Sequence, residues 1–354
     1  MHKGSIAKAQ PHKAISLFFS GSRDAHRHSR RRSRLWGLLP LSAAFAVSNE
    51  AIGQPPQASP PQQALSARIT PGEIRLTYLG NAGWEITDGS TVILVDPFIS
   101  QFASYRVPGG PAPRSPDDLL TPDTAGIDQR IRRANYILIT HAHPDHVLDA
   151  PYIARKTGAT IIGNESVANL ARAAEVSDSS LITVRGGEDF EFGNFSLKVI
   201  PSLHTALFNK RYFTIVGSGH VPRGLKAPLR RREYLQDGGT LVYLLRIAGH
   251  QILIMGGMNF IEREMEGLRP DIALIGAIKG GTQEIYDYAG RLMRALGYPA
   301  IVLPTHLDAY GNPARQSSVA EDRGKFAEEI QKASPKTRVI VPTWFEPIVV
   351  GPPR

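Results

Sequence analysis

Short runs of apolar and β-branched residues recur from residue 74 onwards, at the lengths expected of β-strands. The predicted strands cover residues 74–79, 83–87, 91–95, 136–140, 160–163, 195–200, 240–247 and 251–255. Apolar residues at helical spacing predict helices at 166–176, 283–296 and 319–333. The first strands follow one another through tight turns, whereas the later strands alternate with helices. This order predicts an α+β domain of two packed, mixed β-sheets flanked by helices.

The chain before residue 73 lacks this core-forming pattern. Residues 47–72 are rich in proline and glutamine and predict an extended linker. Residues 1–46 combine a basic run with a short, weakly apolar stretch that ends in a small-residue cleavage-like site, which is the order of parts in a signal peptide. The apolar stretch is too short to span a bilayer. The sequence therefore predicts a leader at 1–46, a linker at 47–72 and one domain at 73–354, with no stable membrane span.

The charge of the chain is concentrated in the predicted leader. Of the formal net charge of +9, residues 1–34 carry +8, through nine Lys and Arg residues and the single acid Asp24. The nearly neutral remainder lacks the basic excess that binding to a phosphate backbone requires, so no nucleic-acid partner is expected. Export is expected, to the periplasm or outside the cell, through a Sec or twin-arginine leader. A disordered N-terminal tail on a cytoplasmic protein is the alternative.

The chain has no cysteine. This excludes a disulfide framework, a cysteine nucleophile and a zinc site with thiolate ligands. Any metal must therefore be held by nitrogen and oxygen ligands.

A dense group of histidines follows the predicted strand at 136–140. His141 and His143 project to the same side of an extended segment, while Asp145 and His146 can address a second position nearby. His204 lies just past the predicted strand at 195–200, and His306 follows the strand-like apolar run at 302–305. Three or four nitrogen and oxygen ligands are what zinc requires, so the pattern predicts a metal centre. A solvated polar loop is the alternative for the dense segment.

The histidine motif resembles that of the metallo-β-lactamase superfamily, and within it the lactonase-like and phospholipase-D-like hydrolases. The resemblance covers about residues 73 to 350 and includes the segments 78–83, 94–98, 145–151 and 304–308. It implies an αββα four-layer sandwich and a metal-dependent hydrolase.

The resemblance also implies a set of ligands. His141, His143 and His204 would form a first zinc site, and Asp145, His146 and His306 would be available to a second. Asp96 would orient a ligand histidine. The alternative for Asp96 is a simple turn residue before Pro97.

The sequence departs from the superfamily pattern at one place. Members with two metal ions usually carry a bridging aspartate after a strand in the second half, but this chain has Gly257 there and no carboxylate until Glu262. Without that negative charge, a second zinc ion is expected to bind weakly or not at all. Asn259 could lend an amide oxygen, a water could replace the carboxylate, and Asn81 could contact the substrate or weakly contact the metal.

The expected activity is hydrolysis of an ester, lactone or phosphodiester-type small molecule by a zinc-bound hydroxide. Asp145 is expected to orient the water or to accept its proton. The competing hypothesis is an attenuated or non-catalytic metal-binding protein of the same fold. A basic segment at 208–236 could attract an anionic substrate, or could be an ordinary solvated surface loop. The sequence does not predict an oligomeric state.

Overall fold

The computed structural model describes residues 69–102, 115–205, 219–277, 285–306 and 316–353. All of them belong to one compact unit, Pro60–Arg354. The predicted leader, and the predicted linker up to residue 68, lie outside the described residues.

Sixteen strands are present in this part of the chain. In chain order they are β1 (Ile74–Gly80), β2 (Gly83–Thr87), β3 (Val92–Val95), β4 (Leu119–Leu120), β5 (Tyr136–Leu138), β6 (Thr160–Gly163), β7 (Leu181–Thr183), β8 (Asp189–Glu191), β9 (Phe195–Ser202), β10 (Leu229–Arg230), β11 (Thr240–Ile247), β12 (His250–Met255), β13 (Ile272–Gly276), β14 (Ile301–Thr305), β15 (Arg338–Val339) and β16 (Pro347–Val350).

The α-helices of the described residues separate these strands. They are α1 (Thr124–Arg130), α2 (Pro144–Val147), α3 (Ala150–Thr157), α4 (Glu165–Ala173), α5 (Glu262–Met265), α6 (Tyr288–Leu296) and α7 (Gln316–Ala333). None of the helices in these ranges is both long enough and apolar enough to cross a membrane.

Two seven-stranded mixed sheets form the centre of the described fold. The first has the order β16-β1-β2-β3-β5-β6-β7, and the second has the order β15-β14-β13-β12-β11-β9-β8. The strands β16-β1-β2-β3 of the first sheet and β8-β9-β11-β12 of the second are antiparallel, while β3, β5, β6 and β7 are parallel in the first sheet and β12 to β15 are parallel in the second. The two-sheet architecture predicted from the sequence is thus confirmed.

The core lies between the sheets. Inward-facing side chains such as Leu76, Trp84, Tyr243 and Ile254 are fully buried there. Two further apolar clusters cover the outer faces, one beneath α1, α3 and α4 and the other beneath α6 and α7. Because each sheet buries both of its faces, the strands are continuously apolar and the helices lie outside, as in an αββα sandwich.

The parallel arrangement brings several strand ends together at one edge of the sandwich. The carboxyl ends of β3, β5, β9, β12 and β14 lie at this edge. The candidate metal ligands and the residues that contact them follow these ends in the sequence. Bonds between the sheets tie this edge together: the Leu241 amide donates to the Thr140 carbonyl at 2.8 Å, and the Tyr243 hydroxyl donates to the Ile139 carbonyl at 2.7 Å. Carboxyl ends of neighbouring strands are a common place for a functional site in such sheets.

Candidate metal centre

Six side chains form two groups at this edge. The histidine triad consists of His141, His143 and His204, and the mixed triad consists of Asp145, His146 and His306. Within each triad one donor atom per residue lies within 4.8 Å of the others. The structure therefore brings together all six residues that the sequence analysis named as ligands.

The histidine triad is tightly convergent. His143 Nδ1 lies 3.1 Å from His141 Nε2 and also 3.1 Å from His204 Nε2. In the mixed triad, Asp145 Oδ2 lies 3.4 Å from His146 Nε2 and 3.3 Å from His306 Nε2, and the two imidazole nitrogens are 3.2 Å apart.

These separations fit the geometry of a small divalent cation. Zinc–nitrogen bonds of about 2.0–2.1 Å at tetrahedral angles place the ligand atoms about 3.3–3.4 Å apart. The nitrogen and carboxylate donors suit zinc. Three imidazole nitrogens pointing at one another would also repel through their lone pairs unless a cation lay between them. The residues present therefore fit a divalent metal ion.

A short helix explains how one segment serves both triads. His143 has an extended backbone, and Pro144 then begins helix α2 at the position where proline is favoured. The helix turns Asp145 and His146 away from the preceding strand direction. The sequence pattern predicted no helix here, so the four-residue helix is a feature that only the structure reveals.

The other two histidines are fixed through their backbones. The Asn259 side-chain amide donates to the carbonyl of His204 at 3.0 Å. The amide of His306 donates to the carbonyl of Asn81 at 2.7 Å, and His306 has a left-handed φ of 58°. Asn81 and Asp96 also have positive φ angles, of 52° and 37°. Such conformations persist only where the surroundings impose them, and they cluster at functional sites.

Outer hydrogen bonds determine which ring nitrogen faces each triad. His146 Nδ1 lies 2.8 Å from Asp96 Oδ2, which leaves Nε2 for the mixed triad. His204 Nδ1 lies 3.2 Å from the Thr205 carbonyl, which leaves its Nε2 for the histidine triad. Acceptors of this kind are the usual outer partners of metal-binding histidines. Asp96 is in contact with His146, as the sequence analysis expected of a residue that orients a ligand.

His143 differs from these histidines. Its Nδ1 faces the triad, and its buried Nε2 has no hydrogen-bond partner. No acceptor among the described residues holds this ring in place, so its orientation depends on packing and on whatever occupies the triad.

The imidazoles of the histidine triad are neutral. Burial, reinforced by the neighbouring His146, lowers the pKa of His141 well below its ordinary value. Burial and the nearby His204 lower the pKa of His143 to about 3. Burial also lowers the pKa of His204, against an opposing effect of Asp237. Neutral imidazole is the form that binds a metal.

Two members of the mixed triad, Asp145 and His146, favour their charged forms. Burial opposes ionisation of Asp145, but His146 and His306 outweigh it and hold the pKa of the carboxyl well below its usual range. Burial likewise opposes a charge on His146, yet Asp145 and Asp96 raise its pKa to about 10. A cation entering this triad must therefore displace the proton of His146.

Asn81 connects the first hairpin to both ends of the mixed triad. Its side-chain amide donates to the Asp145 carbonyl at 3.0 Å and to Asp145 Oδ2 at 3.2 Å. Its own carbonyl accepts the amide of His306. The sequence analysis proposed Asn81 as a substrate or weak metal contact; the structure places its amide nitrogen on the carboxylate of Asp145.

The turn after β12 supplies no carboxylate to the triads. Gly257 has no side chain, and a Cβ built there would meet only Thr205, with its hydroxyl at 3.1 Å. Glu262 Oε2 accepts a bond from Arg291 at 2.6 Å. Asn259 Oδ1 accepts the amide of Phe260 at 2.9 Å, so this oxygen has a local partner.

Sequence analysis missed two residues of this site. The Thr140 hydroxyl contacts Asp96 and His141. The Asp237 carbonyl accepts the amide of Ala142 at 3.1 Å, and its carboxylate acts electrostatically on His204. Adjacency to His141 was a signal for Thr140, but nothing in the sequence around Asp237 separates it from other acids near a strand.

The basic segment is described only from residue 219 onwards. In that part, Arg230 donates to the Asp117 carbonyl at 2.9 Å, and the Arg232 side chain pairs with Asp117 and Glu233. These contacts are on the protein surface. They agree with a solvated surface loop at these two arginines.

Comparison with known proteins identifies the fold family. The family model of the beta-lactamase superfamily domain matches residues 75–306. This range contains all six residues of the two triads.

Two curated relatives carry the same name. The UPF0173 metal-dependent hydrolase of Heliobacterium modesticaldum is 26% identical over 257 residues, which cover 70% of this chain and 87% of that protein. The UPF0173 metal-dependent hydrolase of Oenococcus oeni is 32% identical over 156 residues, which cover 44% of this chain and 56% of that protein. This second match thus spans little more than half of the relative.

A solved structure supports the same fold. Igni18, described as a novel metallo hydrolase from the archaeon Ignicoccus hospitalis, has a TM-score of 0.51 at 18% identity. The match covers 78% of this chain and 98% of that protein. At this identity the likeness shows the fold alone. With the family match over most of the described domain, the chain belongs to the metallo-β-lactamase superfamily.

Proposed function

We propose that this protein is a zinc-dependent hydrolase acting on an ester, lactone or phosphodiester-type bond of a small molecule. The proposal rests on two triads of nitrogen and carboxylate donors at one edge of the sandwich. Within each triad, neighbouring donor atoms lie 3.1–3.4 Å apart. The names of the UPF0173 relatives support metal-dependent hydrolysis. A bound divalent ion supplies Lewis acidity, which acidifies a coordinated water and polarises a carbonyl or phosphoryl group.

The histidine triad is the proposed tight site. Its three imidazoles favour the neutral form and already face one another, so no imidazolium has to lose its extra proton before an ion binds. In the mixed triad an ion competes with the proton on His146. Gly257 also supplies no bridging carboxylate, so the repulsion between two bound ions would not be reduced there. We therefore propose one firmly bound ion and a weaker second one.

Asp145 is the proposed catalytic residue. Its carboxylate is ionised at neutral pH and is held by the Asn81 amide, so it can accept a hydrogen bond from water in a fixed direction. The low pKa makes it a weak base, which favours an orienting role over storage of a proton. Asn81 is then a positioning residue for Asp145.

Zinc dependence is tested by comparing the protein after chelation with the same protein after zinc is restored. The assay is a panel of ester, lactone, phosphodiester and lactam substrates. We expect turnover of at least one substrate only when zinc is present. Firm zinc binding without turnover of any substrate would contradict the proposal and support an attenuated metal-binding protein; turnover that persists fully after chelation would contradict the role of the metal.

A matched pair of variants locates the activity. Asp145→Asn removes the carboxylate charge at nearly constant size and is expected to lower kcat strongly. Asp271→Asn makes the same change at an acid whose histidine partner, His250, belongs to neither triad, and its effect is expected to be much smaller. Equal losses in the two variants would contradict the role of Asp145.

A further inference from the structure

The hydroxyl of Thr140 lies between a carboxylate and one imidazole of each triad. Thr140 Oγ1 is 2.6 Å from Asp96 Oδ2, 3.1 Å from His141 Nδ1 and 3.4 Å from His146 Nδ1. The Thr140 amide also donates to Asp96 Oδ1 at 2.8 Å. Thr140 and Asp96 are both fully buried.

The number of protons fixes the direction of these bonds. A hydroxyl has one proton, and the short contact to the carboxylate oxygen takes it. The oxygen of Thr140 is then an acceptor for His141, whose proton must lie on Nδ1. This leaves the lone pair of His141 on Nε2, the atom that faces the histidine triad.

The same carboxylate oxygen acts on the other triad. Asp96 Oδ2 lies 2.8 Å from His146 Nδ1, which leaves His146 Nε2 facing Asp145 and His306. Asp96 therefore acts directly on the mixed triad and through a hydroxyl on the histidine triad.

Packing leaves the hydroxyl little freedom. Gly256 lies directly against it, and a Cβ built on Gly256 would overlap with both Thr140 Oγ1 and Asp96 Oδ2. The Thr140 carbonyl is bound across the sheets to the Leu241 amide. The backbone and the hydroxyl are thus both fixed, and the close approach of the two sheets at this point requires glycine at 256.

We propose that Thr140 is a positioning residue through which one oxygen of Asp96 sets the ring tautomer of His141, while the same oxygen orients His146 by accepting its Nδ1–H. Its importance for activity rests on the proposed function, but the tautomer itself does not depend on a metal. Without the hydroxyl, the proton of His141 has no acceptor at Nδ1 and can move to Nε2, the atom needed as a ligand.

The test is the ring tautomer of His141 in metal-free protein labelled with ¹⁵N-histidine. Long-range ¹H–¹⁵N spectra distinguish the two tautomers, and the His141 signals are those that disappear in His141→Gln. We expect the Nδ1–H form in the wild type and in Thr140→Ser, which keeps the hydroxyl. In Thr140→Val we expect the Nε2–H form, alone or in exchange. Thr140→Ala provides a second hydroxyl-free variant if the valine protein does not fold.

Two results would overturn the proposal: retention of the Nδ1–H form in the hydroxyl-free variants, or the same tautomer change in Thr140→Ser as in Thr140→Val. The accompanying measurement is zinc affinity by chelator competition. We expect a loss of about ten- to hundredfold in Thr140→Val and a value near the wild type in Thr140→Ser; equal affinities in all three would also contradict the role. A wild type that binds no zinc would refute the proposed function while leaving the tautomer result intact.

Discussion

Asp96 belongs to neither triad, but it accepts hydrogen bonds from three groups of the site. Its two oxygens receive the Thr140 amide, the Thr140 hydroxyl and the ring of His146. A buried carboxylate needs such donors, since an unpaired charge in the interior is costly. The arrangement orients the imidazoles before any ligand arrives, which reduces the entropy lost on binding.

Replacing Asp96 by asparagine tests this at the scale of one residue. An amide offers only one acceptor oxygen, so Asp96→Asn cannot accept from the Thr140 amide, the Thr140 hydroxyl and His146 together. We expect zinc affinity to fall by about ten- to hundredfold, measured by chelator competition.

Asp271 provides the matched control for this variant. It also contacts a buried histidine, with Asp271 Oδ2 2.5 Å from His250 Nδ1, but the pair belongs to neither triad. Asp271→Asn is expected to lower stability without changing zinc affinity. Equal losses of affinity in the two variants would show that the effect of Asp96 is a general loss of folding.

At the scale of elements, the strands were more predictable than the turns that carry the chemistry. The predicted strands 83–87, 160–163 and 240–247 have the observed bounds, because continuous apolar runs bury both faces of a sheet. β5 ends two residues earlier than predicted, and β9 extends to Ser202. The helix predicted at 283–296 begins at Tyr288 within the described residues. β9 is longer because Pro201 and Ser202 pair with Leu241 and Thr240 of β11, a contact between distant segments that no local pattern contains.

Helix α3 was missed although the sequence contains its boundary signals. Asp149 precedes it, Pro151 lies in its first turn, and Gly158 ends it with a left-handed φ of 76°. The contacts of Thr140 and Asn81, by contrast, join segments far apart in the chain, and only the fold reveals them.

Gly256, in the turn after β12, and Gly324, in α7, are expected to have opposite effects on stability when each is changed to alanine. Gly256→Ala forces a methyl group against Thr140 and Asp96, so we expect a loss of about 1–3 kcal/mol in the free energy of unfolding. Gly324→Ala adds a methyl group in open space within a helix, so we expect a gain of about 0.5–1 kcal/mol. Urea denaturation measures both. A stabilised Gly256→Ala protein would contradict the packing described for the Thr140 hydroxyl.

Gly257 allows the missing carboxylate to be introduced. Gly257→Asp adds a negative charge to the turn, at the cost of a tight contact of its Cβ with Thr205. We expect the affinity for a second zinc ion to rise at least about tenfold, because the charge reduces ion–ion repulsion. Gly257→Ala carries the same Cβ without the charge and is expected to resemble the wild type. Isothermal titration that finds the same second-site affinity in both variants would contradict the charge argument.

At the scale of the whole molecule, the architecture was predictable and the arrangement of the site was predictable in part. Alternating hairpins and helices indicated two mixed sheets, and strand-end histidines indicated one metal centre. What the sequence could not provide is the set of contacts that fixes each imidazole, since several of them join segments far apart in the chain, such as Asp96 with His146 and Asn81 with His306.

A buried acid outside the triads makes the stability of the fold depend on pH. Asp149 is fully buried and accepts bonds from the amide of Ser100 at 2.8 Å and from its hydroxyl at 2.5 Å. Burial outweighs these bonds and raises the pKa of Asp149 from 3.8 to about 7. Between these values the unfolded chain releases a proton that the folded protein keeps, so the free energy of unfolding falls as pH rises.

Asp149→Asn removes this dependence because an amide does not ionise. We expect the wild type to lose stability relative to the variant as pH rises from about 4 to 7, by a few kcal/mol at most, and the difference to stay constant above pH 7. Thermal or urea unfolding at a series of pH values measures it. A difference that does not vary with pH would show that Asp149 ionises normally in the folded protein.

Whether the histidine triad holds a metal ion is tested by the zinc-to-protein ratio after exhaustive dialysis, determined by elemental analysis. We expect a ratio near one for the wild type, the same ratio for His220→Ala, which changes an exposed histidine outside both triads, and almost no zinc for His141→Ala. A wild type without zinc, or full zinc in His141→Ala, would contradict this expectation.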